Sequence, residues 1–90
     1  SANVMTFHGR ENVEDILEVI DNGKTTIALP SRKVKDMAQF LLDNGVSESR
    51  KVTVCERLSY PDEKIVSTSL KDIATSEFTY MCIMIIEGKN

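Results

Sequence analysis

This sequence has no excess of positive charge. Its 90 residues hold 11 Lys and Arg against 14 Asp and Glu, a formal net charge of −3 with an isoelectric point near 5.1. A nucleic-acid or anionic-membrane partner needs clustered excess cations, so neither is expected. Long hydrophobic runs are missing as well, and no stretch reads as a signal peptide or a membrane span. There is a single histidine, His8, and no nucleophile, base and orienting acid that read together as a triad. The two cysteines, Cys55 and Cys82, have no zinc-site spacing. Each lies in an apolar stretch, which points to buried, reduced thiols in a cytoplasmic protein rather than a disulfide. No metal site is expected. Glu56 and Glu63 read as solvated carboxylates, and Met81 and Met84 as core fillers.

Glycine-rich loops are absent too. Gly23-Lys24-Thr25 imitates the end of a phosphate loop, but the required earlier glycine is replaced by Glu18. The tripeptide also follows a helix and opens a strand, the reverse of the order that aims amides at a phosphate. It reads as a helix stop.

What the sequence does contain is an ordinary globular composition, 41% hydrophobic and 28% charged, sized for one domain. Residues 4–7 form a β-prone run. Asn12 is placed to cap a helix carrying Val13, Ile16, Leu17 and Ile20 at helical spacing, stopped by Asp21-Asn22-Gly23. Residues 25–29 read as a strand ended by Pro30. Ser31 is placed to cap a second helix with Val34, Met37, Ala38, Leu41 and Leu42 inward, stopped by Asp43-Asn44-Gly45. Residues 51–56 alternate as a strand, 57–64 form a loop, 65–66 a short strand, and 69–74 a helix start. Residues 81–86 are continuously apolar, the pattern of a central strand covered on both faces. The expected fold is α/β: a single mostly parallel or mixed sheet of about five strands with helices packed on it. Residues 1–3 are given no structural weight, as an expression remnant or a disordered end, and the domain is placed at 4–87.

Three segments follow predicted strands: His8-Gly9-Arg10, Leu29-Pro30-Ser31 and Glu56-Arg57-Leu58. In open α/β sheets ligands bind outside the carboxyl ends of strands. If these strands run parallel, the three segments share one edge of the domain. The alternative is three βα turns without a ligand.

The same segments carry a resemblance. Phe7-His8-Gly9-Arg10, the helix-Asn-Gly-Lys-strand unit, the run Glu56-Arg57-Leu58-Ser59-Tyr60-Pro61-Asp62-Glu63, then Ser69-Leu70-Lys71-Asp72-Ile73-Ala74 and Phe78 occur in this order. From about Val4 to Ile86 the chain resembles the C-terminal domain of the cobalamin-pathway tetrapyrrole methylases, in the branch that methylates carbon 5 of precorrin or cobalt-precorrin. The resemblance implies an S-adenosylmethionine cleft between two domains, with the N-terminal, Gly-rich domain missing here. It implies Leu29, Pro30, Arg57, Leu58, Tyr80 and Met81 beside the cofactor, and His8 and Arg10 toward the substrate, where Arg10 could pair with a carboxylate. It names no catalytic base. It also implies that this chain alone is inactive. Cys82 departs from the family's usual polar amide, and Thr79-Tyr80 from an Asp-Pro-like pair. A half-enzyme would expose the wall that meets its partner, so a homo-oligomer is expected through Leu29, Pro30, Leu58 and Tyr60. The alternative class is a non-catalytic α/β ligand-binding or interaction domain.

Overall fold

The computed structural model describes residues 1–7, 13–30, 33–79 and 81–89. In chain order they form β1 (Asn3–Thr6), a 3₁₀ helix (Val13–Glu18), β2 (Thr26–Leu29), α1 (Val34–Asp43), β3 (Lys51–Glu56), β4 (Lys64–Ser69), α2 (Leu70–Ala74) and β5 (Cys82–Ile86).

The strands pair in the order β1-β2-β5-β3-β4. β1 and β2 are parallel, while β2–β5, β5–β3 and β3–β4 are antiparallel. The sheet is therefore the mixed form of the expected one, and its parallel pairing is confined to β1 and β2. β5 is the reason. It inserts between β2 and β3 and runs against both, which leaves β1, β2 and β3 pointing the same way. Their carboxyl ends share one edge, as the sequence suggested.

Side chains alternate across a sheet, and the registers show which residues share a face. One face carries Asn3, Thr26, Ile86, Val52 and Thr68 in one row and Met5, Ala28, Met84, Val54 and Val66 in another. The helices cover this face. Ile16, Ile20, Val34, Met37, Leu41, Leu70 and Ile73 pack with Ala28, Val52, Val54, Met84 and Ile86 into one core. The other face carries Val4, Ile27, Ile85, Thr53 and Ser67, then Thr6, Leu29, Ile83, Cys55 and Ile65. Ile27, Ile83 and Ile85 do not join the core, and Cys55 is buried outside it. The expectation that β5 is covered on both faces is thus corrected: among the described residues, helices cover one. Cys55 and Cys82 are both free and buried. Cys82 stands opposite Glu56, one step from Cys55, so the two thiols point to opposite faces.

Local chemistry sets the helix boundaries. Gly23 and Gly45 both adopt φ +88°, the left-handed stop expected after each Asp-Asn pair. The first helix is a 3₁₀ segment rather than the expected α-helix; its proposed cap, Asn12, lies outside the described residues, as does Ser31. α1 starts after Lys33, which makes no side-chain cap. At α2, the Ser69 hydroxyl accepts the Asp72 N–H at 3.2 Å. Asn3, given no weight from sequence, opens β1. Its N–H donates to the Thr25 carbonyl at 2.9 Å and its Nδ2 to Thr26 Oγ1 at 3.0 Å.

Candidate functional site

The shared edge is built by five strand ends. Thr6 stands beside Leu29, and the Phe7 N–H donates to the Leu29 carbonyl at 3.1 Å. Glu56, at the end of β3, pairs with both Cys82, which opens β5, and Lys64, which opens β4. Leu29 and Pro30 therefore lie about two strand spacings, roughly 10 Å, from Arg57 and Leu58. Met81 lies between, at the mouth of β5. The edge is apolar and open: Leu29 and Leu58 are each 39% exposed, and Met81 is 49% exposed.

Residues 57–63 form a tight loop. The Arg57 N–H donates to the Met81 carbonyl at 2.8 Å, the Tyr60 N–H to the Arg57 carbonyl at 3.1 Å, and the Glu63 N–H to the Tyr60 carbonyl at 3.0 Å. The Ser59 N–H donates to Glu63 Oε1 at 3.0 Å. Arg57 and Ser59 hold φ of 54° and 71°, left-handed values that disfavour any residue with a Cβ. The Arg57 guanidinium is tied inside the same loop. Its Nε reaches Asp62 at 2.8 Å, and its carbon sits 4.7 Å from the centre of the Tyr60 ring. The hydrogen bond from Arg57 holds the Asp62 carboxyl below the ordinary aspartate range. Arg57 thus shapes its loop and joins β3 to the mouth of β5.

Sequence reasoning missed Glu56. Read as solvated, it is 9% exposed. Its Oε2 accepts the Thr79 N–H at 2.5 Å, and the Cys82 thiol donates to the Thr79 carbonyl at 2.9 Å. Burial pushes the Cys82 thiol up, and the charge of Glu56 adds to this. The signal was in the alternation: Val52, Val54 and Glu56 share parity, so the last of them points inward. Thr79 is thus held from both sides, its N–H by the Glu56 carboxylate and its carbonyl by the Cys82 thiol.

Of the residues expected at a site, Leu29, Pro30, Arg57, Leu58 and Met81 come together along this edge. His8, Arg10 and Tyr80 lie outside the described residues. A cavity of about 470 Å³ sits at the opposite edge, lined by Asp21, Arg50, Lys51 and Glu87 among others. Its buried cation is already engaged. Arg50 donates to the Ile20 carbonyl at 3.0 Å, the Glu87 carbonyl at 3.4 Å and Asp21 Oδ1 at 2.5 Å. That cavity is a structural clamp, and the carboxyl edge remains the candidate site. Among the described residues no cluster of His, Cys, Asp and Glu could hold a metal, and no helix is long and apolar enough to cross a membrane.

Comparison with known proteins agrees on this framework. Residues 2–74 match the model of the Tetrapyrrole (Corrin/Porphyrin) Methylases. Over 86 residues the chain is 40% identical to a probable cobalt-precorrin-7 C(5)-methyltransferase of Methanocaldococcus jannaschii, covering 94% of this chain and 40% of that protein. Among solved structures, cobalt precorrin-4 methyltransferase superposes with a TM-score of 0.67 at 22% identity, covering 97% of this chain and 40% of that one. Uroporphyrin-III C-methyl transferase from Thermus thermophilus, complexed with S-adenosyl homocysteine, gives 0.68 at 17% identity, with the same coverage of each. These two likenesses show the fold. The chain spans 40% of the length of each of these proteins.

Proposed function

The chain belongs to the tetrapyrrole methylases, and from that premise we propose that it forms one wall of an S-adenosylmethionine-dependent C-methyltransferase acting on precorrin or cobalt-precorrin. The observation that carries the reading is 40% identity, over nearly the whole chain, to a protein named for carbon-5 methylation of cobalt-precorrin-7. An N-terminal domain with a Gly-rich turn supplies the other wall, and cobalt, where present, belongs to the substrate. The enzyme works in the cytoplasm, an environment that suits free Cys55 and Cys82.

The exposed edge fits such a cofactor. Leu29, Pro30, Leu58 and Met81 offer an apolar surface for an adenosyl group, and Tyr80 precedes Met81 directly. When bound, S-adenosylmethionine supplies a methyl group whose bond to sulfur breaks, the electron pair staying on sulfur, as a ring carbon bonds to it. What this chain contributes is position and exclusion of water. The loop at 57–63 is braced before any ligand arrives, because Arg57 is held by Asp62, Tyr60 and Met81. A wall that needs no rearrangement loses less freedom on binding. His8 and Arg10 come shortly after β1 in the sequence and lie outside the described residues; the resemblance gives them to the substrate, Arg10 through a carboxylate.

Calorimetric titration of S-adenosylhomocysteine tests this. The expected result is little or no heat with this chain, binding by the longer polypeptide that contains it, and at least about tenfold weaker binding there in Leu58→Asp. No binding by the longer polypeptide, with both folded, would overturn the reading.

A further inference from the structure

Glu56 is the one acid among the described residues that the fold buries, 9% exposed at the last position of β3. None of the described ion pairs includes it. Taking a carboxylate out of water with no cation to face it costs stability. A neutral residue would serve the core at less cost, so the side chain has another use. That use lies 23 residues further along the chain, where Glu56 Oε2 accepts the Thr79 N–H at 2.5 Å. The next residue, Arg57, donates its N–H to the Met81 carbonyl at 2.8 Å. Two consecutive residues at the end of β3 therefore hold the chain on both sides of position 80. The Cys82 thiol completes the hold from β5, donating to the Thr79 carbonyl at 2.9 Å. Burial, and after it the charge of Glu56, keeps that thiol protonated, as donation requires.

We propose that Glu56 is the positioning residue of the cofactor edge: its carboxylate fixes the segment at 79–81, and with it Met81, where an adenosyl group meets this wall. This role rests on the proposed methyl-donor site and adds to it a residue that touches no ligand. Two features favour it over a bond that serves the fold alone. The first is where the hold begins. The Thr75 and Ser76 N–H groups still belong to the end of α2, bonding the Asp72 and Ile73 carbonyls at 3.2 and 3.1 Å. Beyond them Lys35 pairs with Glu77, and Lys64 Nζ lies 5.8 Å from the centre of the Phe78 ring. Surface contacts of this kind are weak. From Thr79 on, the partners are Glu56, Arg57 and Cys82, all anchored in the sheet. The second feature is what is held. The segment ends in an exposed apolar side chain, Met81, at the mouth of β5 between Leu29 and Leu58. A buried polar bond beneath an exposed apolar contact fixes where that contact stands. Without it the ligand would have to order the segment, and the freedom lost would be taken from affinity.

Two measurements test this. In this chain, amide exchange followed by NMR reads the bond itself. The Thr79 amide should be protected in the wild type and exchange at least about tenfold faster in Glu56→Ala, with the amides of α1 little changed. In the longer polypeptide that contains this chain, titration of S-adenosylhomocysteine reads the consequence. Glu56→Ala should bind at least about tenfold more weakly, and Glu56→Gln, whose amide oxygen still accepts the Thr79 N–H, within about threefold of the wild type. Glu56→Asp keeps the charge but is one methylene short, and should weaken binding as Glu56→Ala does. Circular dichroism checks that each variant folds, and the contrast of Glu56→Gln with Glu56→Asp decides the matter if Glu56→Ala does not. An unprotected Thr79 amide in the wild type would overturn the proposal. So would folded Glu56→Asp binding as the wild type does, most plainly if Glu56→Gln then fails, since charge rather than the hydrogen bond would be the active property. A wild-type polypeptide that binds no S-adenosylhomocysteine would overturn the methyl-donor reading and this role with it, whereas equal binding by the wild type and folded Glu56→Asp overturns this role alone.

Discussion

The two edges of the sheet are built from the same strands and solve the same problem in opposite ways. At the amino edge, left-handed turns are given to glycine: Gly23 and Gly45 both sit at φ +88°. Gly88 passes so close to Gly23 that an added Cβ would overlap the Gly23 carbonyl. The buried Arg50 then ties the ends of three segments together. At the carboxyl edge the left-handed positions belong to Arg57 and Ser59, which have side chains and lose stability there. Strain of this kind persists where surrounding contacts over-determine it, and it gathers at functional sites. The amino edge is made for stability, and the carboxyl edge for a shape.

Three substitutions would break or sharpen this contrast. The largest effect is expected at Arg50, whose side chain is 7% exposed. Arg50→Met leaves the Ile20 and Glu87 carbonyls without their partner and should cost about 3 kcal/mol in urea denaturation. A loss below about 1 kcal/mol would mean that the clamp is not what holds the amino edge. Ser59→Gly should act the other way, raising stability by about 0.5 kcal/mol as the left-handed strain is relieved, offset in part by glycine's greater freedom when unfolded. If Ser59→Gly destabilises instead, the loop is not strained and the contrast fails. The smallest effect is local. Asp62 is held below its ordinary range by its hydrogen bond from Arg57, so the pair stabilises the fold above that range and the contribution is lost as pH falls through the lowered value. In Arg57→Gln the Asp62 carboxyl should titrate nearer the ordinary range, followed by carboxyl-carbon NMR. An unmoved titration would show that Arg57 does not hold the loop.

Much of this fold was legible because its signals are local. Both Asp-Asn-Gly stops, the Ser69 cap and the inward residues of α1 follow from spacing and side-chain chemistry within a few residues. The direction of β5 was not legible, because strand pairing is settled by residues far apart in sequence. An apolar run reads alike whether one face is covered or both, which is why residues 81–86 were expected to be covered on both. That Leu29, Pro30, Arg57, Leu58 and Met81 share one edge was legible from their places after or before strands. The engagement of Arg57 with Asp62 was not, and neither were the left-handed turns at Arg57 and Ser59, since neither residue type announces one. Glu56 was within reach. Its parity with Val52 and Val54 outweighs the habit of reading every carboxylate near a loop as solvated.

The central place of β5 also bears on how the chain acquires its shape. It is the last of the strands in chain order and the middle one in the sheet. Until it is made, β1–β2 and β3–β4 are two separate ribbons, each with an unpaired edge and part of an uncovered core. During synthesis these ribbons must wait on the ribosome, exposed to wrong partners, until residues 82–86 emerge and join them. Closing that gap brings together residues distant in sequence, so folding should be slow for a chain of this size, with assembly concentrated in one late step.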